Sequence, residues 1–178
     1  MKLSLSVSKH QWLSHAKTLK KYAEIDSPVG VIDIYRGPSD YPRTEGLARL
    51  SEHWSLRIED REVLAVTGLG TPGISASATA RTGLDAVLCG RRGRLLAQRS
   101  FRREERFVRF SSPEYVITAA HRAGHRVITD TRNSECASMR RGRWEVSVAS
   151  EEVCVFAALV TAARLEGLLD SPLLDFLP

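Results

Sequence analysis

Residues 151–178 read EEVCVFAALVTAARLEGLLDSPLLDFLP. From residue 153 to residue 163 every side chain except Thr161 is apolar, so no face of that stretch is made for water. Ser150 has the chemistry of an N-cap, and Glu151 and Glu152 put negative charge in the first turn, where the helix dipole favours it. Gly167 falls near the end of the periodic run and Pro172 follows, so the pattern predicts a helix over 151–169. A bilayer span needs roughly twenty apolar residues. This run has eleven positions, and Arg164, Glu166 and Asp170 interrupt any extension of it, which argues against a transmembrane segment. An apolar tail left on the surface would invite aggregation. What remains is a helix covered by protein on every side. The rest of the chain has to supply the cover.

Upstream, short strands alternate with tight turns. Residues 54–58 alternate, turn through Glu59-Asp60-Arg61-Glu62 and return at 63–66. Residues 84–89 turn through Gly90-Arg91-Arg92-Gly93 and return at 94–99. Residues 115–120 turn through His121-Arg122-Ala123-Gly124 and return at 125–129. Each reads as an antiparallel hairpin. The turns fall near residues 60, 92 and 123, a spacing that hints at a repeated unit. A last alternating strand, 143–148, follows the turn at Arg140-Arg141-Gly142.

The N-terminal segment, 1–28, has a different texture. Ser8 and Gln11 have capping-box spacing, and Trp12, Leu13, Ala16, Leu19 and Ala23 recur at helical spacing. Lys9, Lys17, Lys20 and Lys21 lie largely elsewhere, and Asp26-Ser27-Pro28 ends the pattern. It reads as a basic amphipathic helix, able to pack on its own domain or to lie on an anionic surface.

Hairpins with Gly/Arg turns, then a last alternating strand and an apolar C-terminal helix, resemble the tubby C-terminal-like superfamily. That group includes the LURP-one-related proteins and the phospholipid scramblases. The residues that carry the resemblance are Gly142-Arg143-Trp144-Glu145-Val146-Ser147-Val148, the acidic step Glu151-Glu152 and residues 153–169, with 54–66 and 84–99 fitting more loosely. In pattern it spans 50–170. It implies a mostly β (α+β) fold: an antiparallel barrel of hairpins, 29–170, around a buried C-terminal helix, leaving 171–178 as a tail. In some members it also implies binding of phosphoinositides or other anionic lipids through basic residues. The calcium-site and palmitoylated cysteine-rich patterns of the scramblases are not visible here, so scrambling is not implied.

With 178 residues, 43% of them hydrophobic and 26% charged, the chain is sized for one domain with a real core. Cys89, Cys136 and Cys154 are odd in number and far apart, which favours a reducing compartment over a disulfide framework or zinc ribbon. No apolar run of signal-peptide length opens the chain, and the expected location is cytoplasmic, peripheral at a membrane where a lipid is bound. All five lysines lie at or before Lys21. Eight arginines, Arg91, Arg92, Arg94, Arg99, Arg102, Arg103, Arg106 and Arg109, stand against Glu104 and Glu105 within nineteen residues, interleaved with Phe101 and Phe107. Guanidinium groups bind phosphate bidentately, so this stretch is the candidate site for an anionic lipid or other phosphate. Nucleic acid suits the same charge, but its recognised motifs are missing.

Two other constellations compete. Gly68, Gly70 and Gly73 match G-x-G-x-x-G after the apolar run 63–66, with Arg91 and Arg92 downstream to meet the 2′-phosphate of NADP. The stretch also looks like the nucleotide-binding turn of short-chain dehydrogenases. Against that, 74–82 is rich in Ser, Thr and Ala, Pro72 sits inside the turn, and no Tyr-x-x-x-Lys follows. A Gly/Ser/Thr loop between two hairpins is the simpler account. His121 and His125 are four apart, but Gly124 between them favours a hairpin turn over a metal-binding helix. The expectation is therefore a non-enzymatic binding protein with no catalytic residue, metal or cofactor. An NADP-linked oxidoreductase and a partner-binding or assembly protein without a small ligand are the alternatives.

Overall fold

The computed structural model describes residues 4–7, 19–38 and 51–170. Among these residues twelve strands form one antiparallel sheet in which each strand pairs with the next in sequence. They are β1 (Ser4–Val7), β2 (Lys20–Ser27), β3 (Gly30–Pro38), β4 (Ser51–Ile58), β5 (Arg61–Gly70), β6 (Leu84–Leu88), β7 (Arg91–Gln98), β8 (Phe107–Ser111), β9 (Val116–Arg122), β10 (His125–Thr129), β11 (Glu135–Arg140) and β12 (Arg143–Val146). Helix α1 (Ile74–Ala80) joins β5 to β6, and helix α2 (Glu151–Ala162) follows β12. Two 3-10 segments lie at Arg103–Glu105 and Leu165–Leu169. Between β1 and β12, the edges of the sheet, no ladder is formed among the described residues.

The three hairpins expected from sequence are β4–β5, β6–β7 and β9–β10. Their turns are two residues long, with both residues at positive φ: Glu59-Asp60, Cys89-Gly90 and Ala123-Gly124. That is the turn whose twist matches the strands it joins. The β6–β7 turn is tighter than the sequence suggests, so Arg91 and Arg92 belong to a strand. Gly93 is not a turn residue either; a Cβ there would collide with Ser111 and the Phe110 ring of β8. The hint of a repeat does not survive. The turns at 59–60 and 89–90 lie at one end of the sheet, but β8 intervenes and sends 123–124 to the other.

Two further expectations are corrected. Segment 1–28 is not a helix where it is described, because Ser4–Val7 and Lys20–Ser27 are paired strands; residues 8–18 lie outside the described residues. Around Ala23 a period of two competes with the helical one. Ala23 and Ile25 are buried while Glu24 and Asp26 are not, and pairing with β3 decides the outcome. Residues 74–80, expected as a loop, form α1. Their small side chains are poor helix formers alone, but they let the helix lie close on β5. Ala76 and Ala80 are fully buried, Thr79 Oγ1 accepts a bond from Gly70 N at 2.8 Å, and a Cβ on Gly70 would collide with Ser75.

Helix α2 is the all-round apolar element. Phe156, Leu159, Val160 and Ala163 are each 0% exposed, and Val153–Val160 is buried without a break. Fully burying one Val, Leu or Phe is worth about 1.5–3 kcal/mol, so this helix is a large part of the core. It touches β2 and β3 towards one edge of the sheet and β12 at the other. Its single polar interior group is met: Trp144 Nε1 donates to Thr161 Oγ1 at 3.1 Å. At its start Ser150 Oγ caps Val153 N at 3.2 Å, and Arg61 and Arg91 pair with Glu151 and Glu152. The helix is shorter than the expected 151–169, ending at Ala162. Arg164 then turns left-handed (φ 54°) into the 3-10 segment.

Candidate functional site

A meander sends its connections alternately to the two ends of the sheet. At the end where α2 begins, here the head, lie the turns 28–29, 59–60 and 89–90 and the links 112–115 and 130–134. At the end where α2 finishes, the base, lie α1, the link 99–106, and the turns 123–124 and 141–142. The charges separate along the same division. The head carries Glu59, Asp60, Glu62, Glu114, Asp130, Glu135, Glu151 and Glu152 against Arg61, Arg91, Arg92 and Arg132. Among its described exposed links and strand ends the base carries Arg81, Arg99, Arg102, Arg103, Arg122, Arg140, Arg141, Arg143 and Arg164 against Asp85, Glu104 and Glu105. Such a distribution gives the two ends opposite potentials.

The eight arginines singled out from sequence are therefore not one patch. Arg91 and Arg92 are at the head, and Arg91 is paired with Glu152 at 2.9 Å and lies 5.1 Å over the Tyr115 ring. Arg94 donates to Gly83 O at 2.8 Å. Arg109 is half-buried, lies 4.5 Å over Phe107 and donates to Thr118 Oγ1. Arg106 is 5% exposed and holds the carbonyls of Ser100 and Phe101. Arg99, Arg102 and Arg103 do reach the base surface, Arg102 in an exposed pair with Glu105. They are joined there by Arg81, Arg122, Arg140, Arg141, Arg143 and Arg164, which the sequence reading passed over. A signal for them exists, since once the strands are taken as a meander every second connection shares an end.

The base also carries the two most exposed large apolar side chains among the described residues. Phe101 is 84% exposed and Ile74 is 77% exposed. Phe101 stands beside Arg99, Arg102 and Arg103; Ile74 opens α1 and lines a cleft of ≈ 230 Å³ with Arg81, Arg99 and Arg164. Comparison with family models, curated proteins and solved structures finds no match to this chain. Function has to be argued from the site alone.

The glycine-rich turn does not form a nucleotide site. Strands β5 and β6 are antiparallel neighbours, so the stretch around Gly68, Gly70 and Gly73 is no βαβ crossover. The amides a phosphate would use are already engaged: Gly70 N bonds Thr79, and Gly73 N bonds Ala163 O at 2.9 Å. His121 and His125 lie on the paired strands β9 and β10, not on a helix. Among the described residues no group of three or more His, Cys, Asp or Glu is arranged to hold a metal ion, and no helix is long and apolar enough to cross a membrane.

Beneath the base surface lies a buried ionic cluster. Arg126 grips the Asp170 carboxylate through both of its oxygens, and His121 Nε2 stands 3.9 Å from Asp170. Burial, reinforced by Arg103 and Arg126, lowers the His121 pKa. Burial pushes the Glu166 carboxyl up to about 7. On the β3–β4 side Arg36 and Glu52 form a second buried pair at 2.7 Å, with Arg36 lying 4.6 Å over Tyr22 and 4.9 Å over Trp54. The thiols are not reactive groups. Burial raises Cys89 to about 12 and Cys154 to about 11, and Cys136 is raised as well.

Proposed function

We propose that the chain is a non-enzymatic binding protein of tubby-like barrel type that docks base-first on an anionic membrane surface. The observation that carries this is the pairing of Phe101 and Ile74, the most exposed apolar side chains described, with the arginines of the same end. Apolar tips flanked by guanidinium groups suit an interface where acyl chains begin just below anionic headgroups. The acidic head favours one orientation over the other. Closure of the sheet into a barrel is supported by α2, which has no face for water and touches strands near both edges.

Each arginine near an anionic surface is worth about 1 kcal/mol, and burying Phe101 adds about 1.5–3 kcal/mol. Flotation with phosphatidylcholine vesicles, with and without phosphatidylserine, tests the proposal. Binding is expected only to the anionic vesicles, lost on adding salt and weakened about tenfold by Phe101→Ser. Equal partition onto both vesicle types at low salt would remove the membrane and leave a protein partner as the occupant of this end.

A further inference from the structure

We infer that the cleft between α1 and the exit of α2 is a binding site for a phosphomonoester dianion, held by Arg81, Arg99 and Arg164. The inference rests on the docking proposal for where the ligand is met, though not for the chemistry of the site. Three guanidinium groups and the Ser77 residue line this cleft, and among the described residues no carboxylate does. A phosphomonoester carries between one and a half and two negative charges near neutral pH, with three acceptor oxygens. That is more than one arginine satisfies and fits several bidentate donors converging from different elements. The donors do converge that way. Arg81 caps α1, Arg99 follows β7 and Arg164 follows α2.

Arg164 is the most telling of the three. It stands just past the end of a helix in the left-handed conformation (φ 54°, ψ 36°), a position where glycine is the favoured residue because a Cβ is strained there. Among the described residues neither Arg164 nor Arg81 has a hydrogen bond or ion pair to its guanidinium, and Arg164 meets Glu166 through charge alone. Strain of this kind that no bonded contact of the side chain offsets points to the site it serves. The wall is open as well. Cβ atoms built on Gly73 and Gly167 meet nothing within 4 Å, so among the described residues no side chain crowds these two positions of the wall.

The test uses the full chain and two substitutions, Arg164→Gly and Arg81→Gln. Inorganic phosphate and glycerol phosphate, titrated by NMR, should give saturable shifts in Gly73, Ser77 and Gly167 amides. Arg164→Gly should keep or raise the melting temperature and weaken phosphate binding about tenfold or more, since a bond to a charged group contributes at least that. Arg81→Gln should do the same to binding from a different element. In the lipid arm, vesicles with phosphatidic acid, a phosphomonoester, should bind the wild type more tightly than those with phosphatidylserine, and Arg164→Gly should erase the difference. No saturable shift with either soluble phosphate, or unchanged binding in both variants, overturns the site. Vesicle binding that persists unaltered in that case leaves docking standing without it. Phosphate binding in solution with no recruitment to either vesicle supports the site and ends the docking proposal.

Discussion

Glu166 shows how a single residue couples the base to pH. Its Oε2 is buried with no hydrogen-bond partner among the described residues, and burial raises its pKa from 4.5 to about 7. A carboxyl raised in the folded state holds its proton longer there than in the unfolded chain. Stability is therefore undiminished below pH 4.5, falls as pH climbs, and reaches its full loss, roughly 3 kcal/mol, above pH 7. Glu166→Gln should accordingly raise the melting temperature at pH 8 and match the wild type at pH 4. A lower melting temperature at pH 8 would mean that the ionised carboxylate is held by a partner. His121 works in the opposite sense. Its lowered pKa costs nothing above about 6.5 and destabilises progressively as pH falls. Single residues were the least legible level of the sequence. Nothing near Arg164 distinguishes it from the arginines upstream, because its meaning lies in a backbone dihedral and a cleft formed with α1.

Elements were legible where their signal is local. The run 153–163 announces a buried helix by itself, and glycine-bearing stretches such as Gly90-Arg91-Arg92-Gly93 and Arg140-Arg141-Gly142 announce hairpins, although the first of these turns falls at Cys89-Gly90. Two elements were misread because tertiary contact overrode local preference: β2, where pairing with β3 outweighs a helical period, and α1, where close approach to β5 rewards small residues. The edge strand β12 tests barrel closure directly. In its two-residue hairpin with β11, Arg140 and Arg143 form the bonded pair next to the turn, so the Trp144 amide points away from β11. If the sheet closes through β1, the Trp144 amide should exchange with the slow core amides of α2. Exchange at the rate of an open edge would refute closure while leaving the buried helix intact.

At the scale of the molecule, the alternation of a meander turns a scattered charge pattern into two poles. Arginines at 81, 99–103, 122, 140–143 and 164 look unrelated along the chain, yet the odd-numbered strands β5, β7, β9 and β11, and then α2, deliver them all to one end. Acidic connections at 59–60, 114, 130 and 151–152 are delivered to the other. A net charge of +5 would attract any polyanion; polarity also sets which end arrives first. Two double variants with the same net charge separate these effects. Arg103→Glu with Arg141→Glu reverses exposed charge at the base, and Arg92→Glu with Arg132→Glu reverses as much at the head. If orientation governs docking, the base variant should lose at least about tenfold in affinity for phosphatidylserine vesicles, at about 1 kcal/mol per arginine removed. The head variant should change by less than about twofold, since its charges sit further than a Debye length from a surface met base-first. Equal losses in the two variants would mean that the membrane reads total charge alone, and the polarity of the sheet would have no part in binding.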